Sequence, residues 1–479
     1  MLFVAFIILI IRHQYNLLEF MEWGDESETI VVSKLLALGG TLYSEVFSQH
    51  GPLIFAPGLI LEIIGDHQHK GYRAVIAIGQ LLTLLSIYFS PIFRSSGHAR
   101  AYTTLAAIVL VVYMNSLFAH MFIYHTVAGM FLVVILAQYT LPSIAAPNRL
   151  TSRRVYLGNF LIASLPFLAI SYLPAALLLF VASLRKQQLS TARKSIAIGL
   201  VSNILILIYI GSILGYIAIH LYLNLAIYSS LPHTTLGSFN DIFFNVMDIA
   251  SGDLSKFLIF TTVSFSIIKL SSYENEAPFR ATLVAIAILS LTIRGGGFHG
   301  LPYFYSALAL PIVLFLQAPP LNPKYLLATT VFLIFFLAKV SLTIPKDDAR
   351  LDRYTLPKST EFSKLVQLFT NENDRIISYS FKNYEYLAAQ RLPASGHVYY
   401  LPQQEMYRND PILGIKIRAC EEIDEYRPKV MLVNKWNAWG KFHWGTYGKC
   451  IQKIINKHYI KVVKKPYYIR RDILEPVSY

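Results

Sequence analysis

The sequence predicts an all-α polytopic membrane domain of about eleven spans, followed by a small extracytoplasmic α/β domain. Three observations predict it. The chain is 54% hydrophobic and only 15% charged over its 479 residues, where a soluble protein carries about a quarter charged residues. The apolar residues gather into runs of about 16–28, the length that crosses a bilayer's hydrocarbon core. After Pro345 the apolar runs shorten and charges return.

The first run, Leu2 to Ile11, is lengthened through Arg12 and Tyr15, since a long cation can snorkel. No basic segment precedes it, so it reads as an uncleaved span rather than a signal peptide. Further spans are expected at 73–94, 101–119, 122–142, 196–222, 256–271, 280–293, 302–318 and 325–344, with a run at 156–184 long enough for a tight hairpin. Arg94 and Arg100, then Arg149, Arg153 and Arg154, then Arg185, Lys186, Arg193 and Lys194 mark three basic loops. Placing all three in the cytoplasm makes 156–184 cross twice and puts the acidic loop 13–72 outside. The N-terminus is then inside and the C-terminal domain outside. The segment 53–64 is apolar but short, and Pro57 and Gly58 interrupt it. It reads as an interfacial helix.

The net charge of +14 does not imply nucleic acid. Residues 345–479 hold 23 Lys/Arg against 15 Asp/Glu, which leaves +6 for the membrane part, as cytoplasmic positive loops require. Residues 1–344 therefore form the membrane domain and 345–479 the outside domain. There, RIISYSF, KVMLVNKW and CIQKIINKHYIKVVKK mix strand-like and helix-like periods. The two cysteines, Cys420 and Cys450, either pair in an oxidising compartment or remain thiols. Three tryptophans, Trp436, Trp439 and Trp444, are read as packing or an interfacial belt ahead of sugar stacking.

The most informative stretch runs from Trp23 to Pro57. Asp25, Glu26 and Glu28 open a helical pattern with Ile30, Val31, Leu35 and Leu38 on one face. Asp25 reads as an N-cap with Glu28 as its partner, and Gly39 as the stop. Tyr43, Glu45 and His50-Gly51-Pro52 follow. The Asp-Glu pair after the first span, the Gly39-Gly40 turn with its Leu-Tyr, and Gly51-Pro52-Leu53 with its following aromatic resemble the first extracytoplasmic loop of GT-C glycosyltransferases. Within that class they are most similar to the family-39-like enzymes that use polyprenyl-phosphate sugars.

The resemblance implies an integral membrane transferase at a bacterial plasma membrane. It would move a sugar from a polyprenyl-phosphate donor to a lipid, glycan or protein acceptor outside. Such chemistry needs a base for the acceptor hydroxyl and an anion beside an oxocarbenium-like state. One carboxylate suffices for inversion. Carried over, Asp25 is the base, and Glu26 shapes the site or helps hold a divalent cation; no cofactor is otherwise implied. His50 stands where relatives place a lysine against the leaving phosphate. Arg73 and Arg294 are further candidates for the phosphate, and His299 and Tyr303 resemble a His-Tyr element before a late span. The loop AHMFIYHT offers His120 and His125 but no second acid. A flippase for lipid-linked sugars and an inactive GT-C scaffold are the rival readings. Membrane lipids are partners in every case and nucleic acid in none.

Overall fold

The computed structural model describes residues 2–22, 24–231, 239–273, 276–316, 356–380 and 382–474. The span expected at 325–344 and the boundary at 344/345 lie outside the described residues. In chain order the helices are α1 (Leu2–Leu17), α2 (Asp25–Ala37), α3 (Phe55–Ile64), α4 (His69–Tyr88), α5 (Ser96–Ile108), α6 (Tyr124–Ala145), α7 (Ser152–Ser164), α8 (Leu173–Ser183), α9 (Lys186–Ile210) and α10 (Ile213–Ser230). Then come α11 (Phe239–Ala250), α12 (Leu254–Leu270), α13 (Ala277–Ser290) and α14 (Phe298–Phe315). The C-terminal helices are α15 (Glu361–Phe369), α16 (Tyr384–Ala389), α17 (Pro402–Asn409), α18 (Ala419–Tyr426), α19 (Trp444–Tyr447), α20 (Lys449–His458) and α21 (Arg471–Leu474). Among the described residues five helices, α4, α6, α9, α10 and α14, are long and apolar enough to cross a membrane.

The chain forms two compact units. The first takes in the described residues of 1–20, 73–205 and 235–354, and the second those of 21–72, 206–234 and 355–479. The first loop thus belongs with the C-terminal residues rather than with the helices on either side of it.

In the first unit the run expected to form a hairpin does so. The helix is interrupted at Leu168 and Ala169, where the backbone turns extended. The chain then returns to the end it left, because the Arg185 guanidinium donates to the Ser143 carbonyl. Arg149 donates to the Pro91 carbonyl at 3.1 Å and Arg154 to that of Phe89 at 3.2 Å. The three basic loops therefore lie at one end of this unit, as the charge pattern requires. Its interior carries a polar thread: Gln14 Nε2 donates to Gln80 Oε1 at 2.8 Å, and Gln80 Nε2 to the Tyr305 hydroxyl at 2.9 Å. Side-chain hydrogen bonds of this kind tie apolar helices together.

In the second unit α2 is buried from Glu26 to Leu36 around its whole circumference, not on one face. Leu38, expected on the apolar face, is 64% exposed, because the helix has ended at Ala37. Gly39 then adopts φ +93°, the left-handed conformation glycine tolerates at a helix end. The helix expected at 53–64 is present as α3, which packs Phe55 and Leu59 inward and leaves Ile60, Ile63 and Ile64 exposed.

One expectation fails here. The span at 196–222 is two helices, α9 and α10, broken at Gly211 and Ser212. Leu42 enters the break: its N–H donates to the Ile210 carbonyl at 2.9 Å and its carbonyl accepts from Ser212 at 3.2 Å. A Cβ on Gly211 would lie 3.1 Å from Leu42 Cβ, so glycine is what lets the strand-like segment approach. Beyond 222, where a loop is expected, α10 continues to Ser230 and α11 occupies Phe239–Ala250.

The C-terminal residues carry the expected mix of helices and strands, with a four-stranded sheet of β1 (Ile377–Tyr379), β2 (Val430–Val433), β3 (Tyr459–Lys461) and β4 (Tyr467–Arg470), in the order β1-β2-β4-β3. β1 and β2 pair in parallel with Ile377 opposite Met431, and β4 runs antiparallel to both β2 and β3. Both parallel strands are buried at every residue, which accounts for their continuous apolar runs. Cys420 and Cys450 form a disulfide between α18 and α20, with Cα atoms 6.1 Å apart. The tryptophans pack on aromatic neighbours: Trp436 on Trp439 at 6.0 Å and Trp444 on Tyr447 at 5.2 Å.

Candidate functional site

The first acidic cluster is built on the N-terminus of α2. The cap residue is Gly24 and no side chain caps the helix, so Asp25 is the first helical residue and not the N-cap that its spacing suggested. Its carboxylate is half-buried, at the end of the helix where the backbone dipoles favour an anion. Asn383 of the C-terminal domain donates to the Gly24 carbonyl at 3.1 Å and so fixes the entry to the helix.

Glu28 is not a capping partner either. It is 3% exposed and accepts from the Ser48 hydroxyl at 3.0 Å. The Tyr399 hydroxyl also hydrogen-bonds it. Burial first, then the charge of Asp25, push its carboxyl well above the usual carboxylate range, while Ser48 and Tyr399 pull the other way. No local spacing signals this environment for Glu28, since Tyr399 comes from a distant part of the chain.

His50 belongs to the same cluster. Its Nδ1 lies 3.7 Å from Glu28 Oε1. Its backbone is held at both ends: the N–H donates to Ser48 Oγ at 3.2 Å and the carbonyl accepts from the Tyr43 hydroxyl at 2.7 Å. The preceding Gln49 carbonyl lies 2.9 Å from His220 Nδ1 and accepts from Asn224 Nδ2 at 2.9 Å, both on α10. The Phe47 N–H donates to the Gly396 carbonyl at 3.0 Å, and the Phe47 ring stacks on His397 at 5.3 Å. His397 is buried, and burial lowers its pKa to about 3, so the imidazole is neutral. Asp25, Glu28 and His50 thus belong to one cluster, to which the C-terminal residues contribute Tyr399 and His397.

The raised Glu28 carboxyl has a pH signature. A neutral form favoured by folding stabilises the chain fully below the ordinary Glu value, and that contribution is lost as pH rises through the raised one. As pH rises above the ordinary Glu range the wild-type melting temperature should therefore fall relative to that of Glu28→Gln, which cannot ionise. Parallel melting curves would contradict the assignment.

Glu26 points elsewhere. It is fully buried and groups with Glu22 and His69, donor atoms all within 4.8 Å of one another. Neither Glu22 nor His69 stands out in the sequence.

The remaining candidates lie in the first unit. Arg73 is 1% exposed, and its Nη1 donates to the carbonyls of Leu17 and Leu18 at 3.3 and 3.2 Å and to that of Phe20. It holds the C-terminal end of α1. Arg294 donates to the Tyr124 hydroxyl and lies 5.9 Å over that ring. His299 Nδ1 is 3.3 Å from His125 Nε2, and His125 Nδ1 is 2.7 Å from the Tyr172 hydroxyl. Arg294 and His299 are therefore joined through Tyr124, His125 and Tyr172, of which only His125 drew notice in the sequence. Tyr303 follows one turn later on α14 with its hydroxyl buried and, among the described residues, without a hydrogen-bond partner.

No family model matches the sequence, and no curated protein does. Solved structures do match. The chain is similar to ArnT from Cupriavidus metallidurans, solved bound to undecaprenyl phosphate, at 13% identity and TM-score 0.55, over 81% of this chain and 85% of that one. It is also similar to the archaeal oligosaccharyltransferase AglB from Archaeoglobus fulgidus, in complex with an inhibitory peptide and a dolichol-phosphate, at 12% identity and TM-score 0.45, over 100% of this chain and 75% of that one. The fold is the GT-C fold.

Proposed function

We propose that the chain is an integral membrane glycosyltransferase that moves a sugar from a polyprenyl-phosphate donor to an extracytoplasmic acceptor with inversion. The observation that carries this reading is the half-buried Asp25 carboxylate at the start of α2, beside a Glu28 whose burial favours the neutral acid, in a chain of GT-C fold. The undecaprenyl phosphate bound to ArnT supports the donor class.

In the proposed reaction Asp25 takes the proton of the acceptor hydroxyl, and the acceptor oxygen bonds to the anomeric carbon. The bond from that carbon to the phosphate oxygen breaks, and its electron pair leaves with the polyprenyl phosphate. The Asp25 charge favours the oxocarbenium-like state between them. His50 donates to the leaving phosphate. Arg294, His299 and Tyr303 are further candidates for binding that phosphate, from their place in the sequence. Arg73 is given no part in binding, because its guanidinium already serves the end of α1. The acceptor is a lipid, a glycan or a protein. The common end of the three basic loops supports placing them in the cytoplasm of a bacterial plasma membrane, with the C-terminal domain outside.

Mass spectrometry of envelope lipids, glycans and proteins from cells with and without the gene tests the function. One sugar substituent should disappear; identical profiles would refute the reading. For His50 the expected result is that His50→Ala lowers turnover and His50→Lys restores much of it, since an ammonium supplies the same donation to phosphate. Equal turnover by His50→Ala and wild type would pass the role to Arg294.

A further inference from the structure

We propose that Glu22, Glu26 and His69 form a divalent-cation site. The transferase resemblance already offers Glu26 a share in holding a divalent cation; the geometry adds Glu22 and His69 as its partners, and the test concerns the ion alone. The three side chains come from opposite ends of the segment 21–72: Glu22 just before α2, Glu26 in its first turn and His69 at the start of α4. Their donor atoms nevertheless converge within 4.8 Å of one another.

The site is enclosed and partly ordered already. Glu26 is fully buried, and the side chains of Glu22 and His69 are 3% and 12% exposed. His69 Nε2 lies 3.1 Å from Glu22 Oε2. That is close to the roughly 3.4 Å between two ligands of one tetrahedral ion with bonds of about 2.1 Å. The Glu22 carboxylate is oriented from behind, by the Ser27 N–H at 3.0 Å and the Ser27 hydroxyl at 2.7 Å. Such hydrogen bonds to a ligating carboxylate commonly accompany metal sites. The Ser27 hydroxyl is also 3.0 Å from His69 Nε2, so one residue touches two of the three ligands.

The donor set names the class of ion. One imidazole nitrogen with two carboxylate oxygens suits zinc, manganese or iron(II), and suits calcium and magnesium less, since these prefer oxygen alone. Bound there, the ion would tie the start of α2 to the start of α4. Asp25 lies in sequence between the two glutamate ligands, so the ion would also fix the backbone that aims it.

The plain competitor is a His69–Glu22 ion pair with Ser27 as its hydrogen-bonding companion, which needs no metal. Titration of untagged, chelator-stripped full-length protein with zinc chloride alone and manganese chloride alone, followed by calorimetry, separates the two. One ion per chain is expected, with affinity lowered at least about tenfold in His69→Ala and in Glu26→Gln. The melting temperature of wild type should rise on adding the ion. No binding by wild type, or the same affinity in both variants, would overturn the proposal. Should the variants fail to fold, X-ray absorption of the zinc-loaded wild type decides. A shell containing one imidazole and carboxylate oxygens supports the site, and a shell without imidazole refutes it.

Discussion

Asp25→Asn should lower turnover of a matched polyprenyl-phosphate sugar by about 10²–10⁴-fold while leaving the chain folded. The substitution keeps the shape of the side chain and removes both its basic lone pair and its charge. Base catalysis alone accounts for a loss of that order, and loss of the anion beside the oxocarbenium pushes the defect toward the upper end. The structural cost is small. Asp25 is the first residue of α2 and no side chain caps that helix, and the helix-dipole interaction it gives up is worth about 0.3–1 kcal/mol. A second signature should accompany the loss. Asp25 is one of the two causes that raise the Glu28 carboxyl, so the fall of melting temperature with pH should be shallower in Asp25→Asn. Glu28→Gln should retain far more activity, because an amide resembles the neutral acid that burial favours there. If Asp25→Asn keeps more than about a tenth of wild-type turnover, the base lies elsewhere.

Reduction of the Cys420–Cys450 disulfide, or Cys420→Ser, should destabilise the C-terminal domain by about 3–4 kcal/mol. The bridge spans 30 positions of sequence and joins α18 to α20, and a closed loop of that length restricts the unfolded chain by roughly that amount. α20 also packs Ile451, Ile454 and Ile455 inward and feeds β3 directly, so its release should loosen the sheet's β3 edge. Thermal melts of full-length protein with and without reductant would show the shift. Alkylation tests the bond itself: freshly isolated protein should expose no reactive thiol. Two alkylatable thiols would contradict both the bond and the oxidising side assigned to this domain.

What the sequence revealed was local. Run length and charge pointed to the membrane domain, the helical hairpin and the grouping of the basic loops, because each depends on composition within a few turns. Gly39 announced the end of α2 for the same reason, and the short β-rich runs after Pro345 became the sheet. What it hid depends on distant partners. The break at Gly211 sits inside a continuous apolar run, and only the approach of Leu42 makes it visible. Asp25 followed by an acid three residues on has the spacing of a cap, yet Glu28 turns inward to Ser48 and Tyr399. Arg73 has the position of a phosphate ligand and the partners of a helix-end clamp. The pairing of His299 with His125, and of His69 with Glu22, joins residues that no spacing rule connects.

The central claim is that this chain breaks the bond between a sugar and a polyprenyl phosphate. Purified protein in liposomes, given a panel of polyprenyl-phosphate sugars labelled in the sugar, tests it most directly. Free polyprenyl phosphate should accumulate in step with transfer of label to the acceptor, in wild type and not in Asp25→Asn. Movement of intact labelled donor across the bilayer, with no polyprenyl phosphate released by either protein, would contradict the account and identify a flippase instead.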